Sequence, residues 1–361
     1  MTPGGGLEHL TVKVNGAPHP GVTRATVSYS SDNAVREAVI EADEPRGRPF
    51  FFRLSAPATV HCGADVVVTG FVVRLNRRVE KGKRQVTATI KSKATKAAKT
   101  AAQAPDYALK KRSVGAAAKA LFDKVKVPVH DDAGGKAYDW KWRPGETAFD
   151  VVERQARSAG LLMMGHGDGG VVVAKGIRGQ HAGVLAMPGE ITEGSSDLSD
   201  EGEYAETIAL GQKGSGDKNS DLRPSATAKN TKVDDGTVQI VLNETEFDAQ
   251  DLTVRASARR NRRRGANVSC TLPVPRWRDD AGRLWEPAFT IPVSAYEDLE
   301  IDQVMAVKSV VLRYAKAKDG GEAMTAELNL VDPPALNGKG GKSKSSSEYG
   351  SDTSPAKYAE E

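Results

Sequence analysis

The sequence predicts a mostly β fold with an α/β insert (α+β class): two antiparallel β-barrel domains with a small helix-hairpin α/β domain. Short runs of alternating apolar and polar residues occupy both ends of the chain. Two amphipathic helix patterns lie close together near its middle. The 36 glycines and the low aromatic content of 6% are typical of turn-rich β structure. At 361 residues, two or three domains are expected.

The first predicted domain, an N-terminal β-barrel, spans residues 1–98. Between Leu7 and about Ala94 the chain reads as short strands separated by turns. In the run RQVTATIKS, Val86, Ala88 and Ile90 alternate with polar residues, which is the period of a strand with one buried face. Several such strands in under about 100 residues indicate a small antiparallel barrel or sandwich.

The second predicted domain, residues 99–190, is of α/β type. Its first helix is predicted in SVGAAAKALFDKV, with Ser113 as the N-cap. A second helix in PGETAFDVVERQARSAG places Phe149, Val152 and Ala156 on one stripe, and Gly160 follows as its C-terminal cap. The run LLMMGHGDGGVVVAK then predicts strand, turn and strand.

The third predicted domain is a second β-barrel over residues 191–335. A helix is inserted at about residues 244–264, where acidic residues come first and arginines last, as the helix dipole favours. Strands return from NVSCTLPVP to MTAELNLVDPP. The final residues 336–361 contain too few apolar side chains to offset the entropy of ordering, so we predict a disordered tail.

Positive charge is uneven along the chain although the net charge is only +4. A Lys- and Ala-rich stretch covers residues 91–112, and six arginines lie near the end of the inserted helix. One hypothesis is a nucleic-acid-binding protein that uses these two segments, whose binding would weaken steeply with salt. A solvated linker and the helix dipole explain the same charges without a nucleic-acid partner, and we favour that interpretation. A third hypothesis is a cell-wall-binding tail component that acts through the helix-hairpin unit.

No motif in the sequence carries catalytic or cofactor chemistry. Gly165, Gly167 and Gly170 satisfy GxGxxG, but a strand follows where a dinucleotide site needs a helix, so a hairpin turn is predicted. The six histidines lack the spacing of paired metal ligands. Cys62 and Cys270 lie far apart and are interpreted as buried free thiols. We therefore expect no enzyme activity, no cofactor and no metal.

Targeting and membrane signals are also lacking in the sequence. The start MTPGGGLEHL has no basic region followed by an apolar one, and no segment approaches roughly 18 uncharged apolar residues. We expect neither a signal peptide nor a membrane anchor.

Two of the four tryptophans flank one short turn in the stretch RWRDDAGRLWEP. The pattern predicts a hairpin in which large aromatic side chains fix the register across the strands. Such a rigid turn either only stabilises the barrel or also docks a partner. The candidate interface residues are Trp277, Arg278, Asp279, Asp280, Gly282 and Trp285.

Several of these segments, in this order, resemble a known family. The run from WRDDAGRLWEP through GGEAMTAELNLVDPPAL is similar to the C-terminal part of Mu-type phage baseplate hub proteins. The stretch GETAFDVVERQARSAGLLMMGHGDGGVVVAK is similar to their middle α/β unit, which recurs in the N-terminal part of type VI secretion spike proteins. The stretch VTGFVVRLNRRVEKGKRQVTATIKSKA resembles their first barrel.

The resemblance implies a structural baseplate hub of a contractile tail. Such a chain would assemble as a homotrimer whose six barrels form a pseudo-sixfold ring, adapting the sixfold tail tube to the threefold central spike. Its expected partners are the tail tube protein, the central spike protein and other baseplate (wedge) proteins, and DNA would pass through the lumen only transiently. The expected location is the tail baseplate of the virion, after assembly in the bacterial host cytoplasm.

Overall fold

The structure is a computed structural model of the chain. It describes residues 9–80, 83–199, 201, 203–211, 222–231, 233, 235–242, 249–316 and 321–336. The predicted disordered tail falls outside these residues except for Leu336.

The N-terminal unit consists of seven antiparallel strands. They are β1 (Leu10–Val14), β2 (Ala17–Pro18), β3 (Val22–Ser30), β4 (Asn33–Glu44), β5 (Pro57–Cys62), β6 (Asp65–Glu80) and β7 (Lys83–Ser92). They pair in the order β3-β4-β7-β6-β5-β1-β2. Val86, Ala88 and Ile90 of β7 are all buried, so the predicted alternation is confirmed.

The middle of the chain is the α/β unit. Its elements are α1 (Thr95–Lys99), β8 (Ala108–Arg112), α2 (Val114–Phe122), β9 (Val129–Asp131), β10 (Tyr138–Lys141), α3 (Ala148–Ser158), β11 (Leu162–Gly165) and β12 (Val171–Ala174). The two predicted helices and the predicted hairpin are confirmed as α2, α3 and β11–β12. Strand β9, which the sequence analysis did not predict, pairs in parallel with β12 and completes a three-stranded sheet.

Local signals explain where the two helices begin and how they pack. The Ser113 hydroxyl accepts a hydrogen bond from the Ala116 N–H at the start of α2. Gly160 follows α3 with φ of +68°, a conformation that costs a glycine little. The rings of Phe122 and Phe149 stack 6.2 Å apart, which joins the buried faces of α2 and α3.

The C-terminal part adds ten strands and two helices. They are β13 (Gly179–Gln180), β14 (Leu185–Ala186), β15 (Ser195–Leu198), β16 (Glu206–Leu210), β17 (Ser225–Lys229), β18 (Val238–Leu242), α4 (Ala249–Ala266), β19 (Val268–Val274), β20 (Phe289–Ala295), α5 (Tyr296–Leu299), β21 (Ile301–Lys316) and β22 (Glu322–Val331). Helix α4 matches the predicted inserted helix, although residues 244–248 lie outside the described chain. It packs on a separate small sheet, β17-β16-β18.

Strands from both ends of the chain form one sheet. β21 pairs antiparallel with β3, from Ser309 opposite Ser30 to Ala315 opposite Arg24. This pairing joins the N-terminal strands to β15-β19-β22-β21 in a 14-stranded sheet, to which β20, β13 and β14 also belong. Between its end strands β15 and β2, the described pairing closes into no barrel, so the two-barrel detail stays a prediction.

Candidate functional site

The two tryptophans of the predicted docking turn are part of the core. Trp277 is 1% exposed and Trp285 is 0% exposed. The Trp277 indole N–H donates to the Thr325 carbonyl at 3.0 Å, and that of Trp285 donates to the Arg276 carbonyl at 3.0 Å. Both rings are thus packed, and both N–H groups are paired within the chain. In this structure, neither indole is available to a partner protein.

The hairpin pairs its two strands only near the turn. Trp285 N–H donates to the Trp277 carbonyl at 3.1 Å, and Asp279 N–H donates to the Arg283 carbonyl at 2.8 Å. Beyond this tip the flanking strands separate: β19 pairs with β22, whereas β20 pairs with β21. The predicted cross-strand neighbourhood of Trp277 and Trp285 is therefore confirmed at the tip, while each strand finds another neighbour further along the sheet. Gly282 has φ of +79°, as the predicted turn requires.

Asp279 holds the turn together from inside. Its carboxylate accepts hydrogen bonds from the backbone N–H groups of Ala182, Ala281 and Arg283, and His181 Nδ1 lies 2.9 Å from its Oδ2. Burial raises the pKa of Asp279, but the His181 contact and the N–H donors outweigh it and leave the pKa below its usual value. The charged form of Asp279 therefore stabilises the fold.

We predict that Asp279→Asn lowers the free energy of unfolding at pH 7 by about 1–3 kcal/mol, because the amide nitrogen cannot accept the bonds that an oxygen accepts. A carboxylate whose pKa is lower in the folded state stabilises the fold at pH values above its unfolded-state pKa. This stabilisation is lost as the pH falls through its folded-state pKa. The difference in free energy of unfolding between Asp279→Asn and wild type should therefore become smaller below about pH 4. Urea unfolding at several pH values measures this difference, and a difference that stays constant would contradict the assignment.

The remaining predicted interface residues divide into anchored and exposed ones. Arg278 donates to an Asp65 carboxylate oxygen at 2.7 Å and to the Cys62 carbonyl at 2.9 Å, which ties the turn to the N-terminal strands. Asp280 is exposed and pairs with Arg276. Gly282 is exposed too. The exposed part of the turn is therefore its tip, residues 280–283, and Arg278 is partly exposed beside it.

The structure assembles one cluster that the sequence analysis missed. His130 lies on β9, whereas His166 and Asp168 lie on the turn between β11 and β12. His130 Nε2 is 2.8 Å from Asp168 Oδ2, and His166 Nδ1 is 2.9 Å from Asp168 Oδ1. No local spacing reveals the cluster, because the parallel β9–β12 pairing creates it. The mixed three-stranded sheet β11-β12-β9 would have had to be predicted first.

The ionised form of the Asp168 carboxyl group is strongly favoured over the protonated form. Burial raises the pKa of Asp168, but the Gly170 N–H bond and the two histidines lower it to about 2. Among the described side chains, neither imidazole forms a hydrogen bond or ion pair except with Asp168. The cluster is therefore two imidazoles around one ionised carboxylate.

The Lys-rich segment is packed against the N-terminal strands. Ala94 and Ala97 are fully buried, and Lys96 Nζ lies 4.1 Å from the centre of the Phe71 ring. Lys91 forms a 2.9 Å ion pair with Glu37. These contacts favour a structural role over a free nucleic-acid-binding arm.

The arginines of α4 also contact their own chain. Arg260 donates to the Lys229 carbonyl at 2.8 Å, and Arg262 donates to Asp32 at 2.6 Å. Burial and the neighbouring arginines lower the pKa of Arg259. The helix therefore uses its positive charge to dock onto the small sheet and the β3–β4 turn.

Two further findings concern the cysteines and the helices. Cys62 and Cys270 are buried and form no disulfide, as predicted, and burial raises the pKa of the Cys270 thiol to about 12. None of the described helices is both long enough and apolar enough to cross a bilayer.

Part of the chain resembles a known protein family in sequence. No curated protein sequence matches the chain. Residues 98–175 match the family described as "Baseplate hub protein gp44-like, second domain". That range contains α2, α3 and the β11–β12 hairpin.

Solved structures match nearly the whole chain. The 43 kDa tail protein of prophage MuSo2 from Shewanella oneidensis superposes with a TM-score of 0.76 at 16% identity, covering 92% of this chain and 100% of its own. The tail protein from Neisseria meningitidis MC58 superposes with a TM-score of 0.75 at 19% identity, covering 91% of this chain and 98% of its own. A type VI secretion component from Escherichia coli superposes with a TM-score of 0.56 at 9% identity, covering 88% of this chain and 76% of its own. The predicted resemblance is thereby confirmed: residues 98–175 match the second domain of the gp44-like baseplate hub family, and the chain shares the fold of Mu-like prophage tail proteins.

Proposed function

We propose that the protein is a structural, non-enzymatic baseplate hub of a contractile phage tail. Three copies form a ring that adapts the sixfold tail tube to the threefold central spike. The β3–β21 pairing carries this proposal, because it places an N-terminal and a C-terminal β unit side by side in one continuous sheet. A trimer of such chains presents six β units, arranged with pseudo-sixfold symmetry.

The fold likeness to prophage tail proteins supports this role. In the proposal, the tail tube and the central spike are direct partners, and wedge proteins contact the outside of the ring. The ring forms in the host cytoplasm, ends in the virion baseplate and lets DNA pass only transiently.

The proposed subunit contacts involve the open ends of the large sheet. Strand β15 forms one end of the pairing order and pairs only with β19 among the described residues; an open strand edge invites association with another chain. Leu198 at the end of β15 is 45% exposed and Tyr296 is 70% exposed, and both line one surface cleft. We name Leu198 and Tyr296 the β15 patch. At the other end, β2 pairs only with β1 within the part of the chain that the structure describes.

We predict that the double variant Leu198→Asp/Tyr296→Asp is monomeric, because it buries two charges in an apolar contact. Light scattering should give wild type a mass roughly three times 38.4 kDa, and the variant a mass near one chain. Ala120→Asp introduces the same charge at an exposed position of α2 in the α/β unit and should remain trimeric. A trimer that persists in the double variant contradicts the assignment of the β15 patch, and a monomeric wild type at both low and high salt contradicts the trimer.

The exposed tip at residues 280–283 is proposed to dock the neighbouring tube or spike protein. The buried tryptophans and Asp279 hold this tip rigidly, and a rigid loop loses little entropy on binding. The sharpest test alters only exposed side chains: Asp280→Ala/Arg283→Glu should weaken binding of purified tube or spike protein. Arg24→Glu, at an arginine that is 71% exposed on β3, is the matched control. Unchanged binding of the tip variant would remove the docking role.

A further inference from the structure

The turn that carries His166 and Asp168 is held rigidly against the N-terminal strands. The Gly167 carbonyl accepts a hydrogen bond from the Thr69 hydroxyl at 2.9 Å, and the Gly169 carbonyl accepts one from Ala94 N–H at 2.9 Å. A Cβ atom at Gly167 would collide with the Val66 carbonyl oxygen. The glycines therefore let the turn lie directly on β6. Ligand-bearing turns fixed in this way bind ions without first being ordered.

We propose that His130, His166 and Asp168 form a binding site for a divalent transition metal ion such as Zn²⁺. Imidazole nitrogen and carboxylate oxygen are ligands that zinc accepts, whereas Mg²⁺ and Ca²⁺ prefer all-oxygen sets. One ligand atom from each residue lies within 4.8 Å of the other two. The site goes beyond the proposed hub role and does not depend on it.

The ligand atoms lie somewhat closer together than they would around a tetrahedral ion. Ligands about 2.0–2.2 Å from zinc lie roughly 3.4 Å from one another. The two closest pairs are 2.8 and 2.9 Å apart, and the imidazole ring centres are 4.2 Å apart. The three side chains are 39–43% exposed, so small rotations can open this spacing. The same exposure leaves the fourth coordination position to water or to a donor from a partner protein.

Metal binding would connect two parts of the α/β unit. His130 comes from β9, a strand of three residues, whereas the other two ligands come from the β11–β12 turn. The ion would thus fasten the short parallel strand to the turn that rests on β6. Because the unfolded chain lacks this arrangement, the ion should stabilise the folded protein.

The test uses the full-length chain without an affinity tag, freed of metal with a chelator. Calorimetric titration with ZnCl₂ should give one ion per chain, and MgCl₂ should give no binding. Bound Co²⁺ should show the visible absorption of a four-coordinate site. The melting temperature should rise with Zn²⁺.

Three variants decide whether these residues are the ligands. His130→Ala and Asp168→Asn should each weaken Zn²⁺ binding by at least about tenfold, the loss that even outer hydrogen-bond partners of metal ligands cause. Asp168→Asn keeps the Oδ1 acceptor for Gly170 N–H, so the turn should stay folded. His9→Ala is the matched control: His9 is also near a carboxylate, 3.3 Å from Glu322, but without a second histidine. Its Zn²⁺ affinity should equal that of wild type.

The proposal is overturned if neither Zn²⁺ nor Co²⁺ binds. It is also overturned if the affinities of His130→Ala and Asp168→Asn match that of wild type. In either case the cluster is a pair of histidine–aspartate contacts that only shapes the turn.

Discussion

Arg36→Met is expected to lower the free energy of unfolding by about 3–5 kcal/mol, the range found when one partner of a buried ion pair is removed. Arg36 lies on β4, and its side chain is 2% exposed. Its guanidinium donates to the Gly165 carbonyl at 3.0 Å, to the Val67 carbonyl at 3.3 Å and to Glu286 at 2.7 Å. One side chain thus bonds the α/β hairpin, strand β6 and the C-terminal β unit.

The loss in Arg36→Met comes from the groups left behind. Two carbonyl oxygens and a carboxylate would lose their donor, and methionine cannot replace it. Urea unfolding measures the effect. The double variant Arg36→Met/Glu286→Gln should recover part of the loss, because it removes the uncompensated charge.

Arg24→Ala is the matched control for Arg36. Arg24 also pairs with a glutamate, Glu41, but at 3.6 Å and with a side chain 71% exposed. Solvent-exposed pairs of this kind contribute about 0–1 kcal/mol. If Arg36→Met costs no more than Arg24→Ala, Arg36 does not hold the three units together.

Trp285→Ala is expected to lower the free energy of unfolding by about 3–5 kcal/mol through the cavity that it leaves. The ring is 0% exposed and packs edge-on to His181 at 4.9 Å. Its indole N–H satisfies the Arg276 carbonyl, which would otherwise be left without that donor. Denaturant unfolding measures the loss. Total stabilities of folded domains are about 5–15 kcal/mol, so the loss is a large fraction of the total.

Trp285→Phe separates the effect of the cavity from that of the lost hydrogen bond, and Leu54→Ala is the control for losing an exposed apolar side chain. Trp285→Phe fills part of the volume but cannot donate to Arg276, so its loss should lie between wild type and Trp285→Ala. Leu54→Ala removes an apolar side chain that is 63% exposed, and should change stability by under about 0.5 kcal/mol. A Trp285→Ala loss as small as that of Leu54→Ala would contradict a core role.

Local sequence patterns were sufficient for much of the α/β unit. Ser113 and Gly160 mark the limits of α2 and α3 because caps act within one turn of a helix. The glycine run at 165–170 was correctly predicted as a turn, since a strand follows it. The buried faces of β7 and α3 likewise follow from periods of two and 3.6 residues.

The predicted docking turn shows where such patterns stop being sufficient. The sequence indicated a tryptophan-flanked turn with a glycine at positive φ, and this is correct. It could not indicate that both indoles are buried or that the Asp279 carboxylate contacts His181 and the Ala182 N–H of another segment. Burial depends on what packs against the turn, and that packing involves residues distant along the chain.

The sequence by itself determined most of the element types and their order, because caps, turns and periodicity act over a few neighbouring residues. The likeness to baseplate hub proteins rests instead on the order of several segments along the chain. Only the tertiary structure decided that β3 pairs with β21, that Arg36 joins three units, and that His130 meets His166 and Asp168. These contacts join residues separated by tens to hundreds of positions. They depend on which strand edges and buried polar groups find partners, and no local pattern specifies that choice.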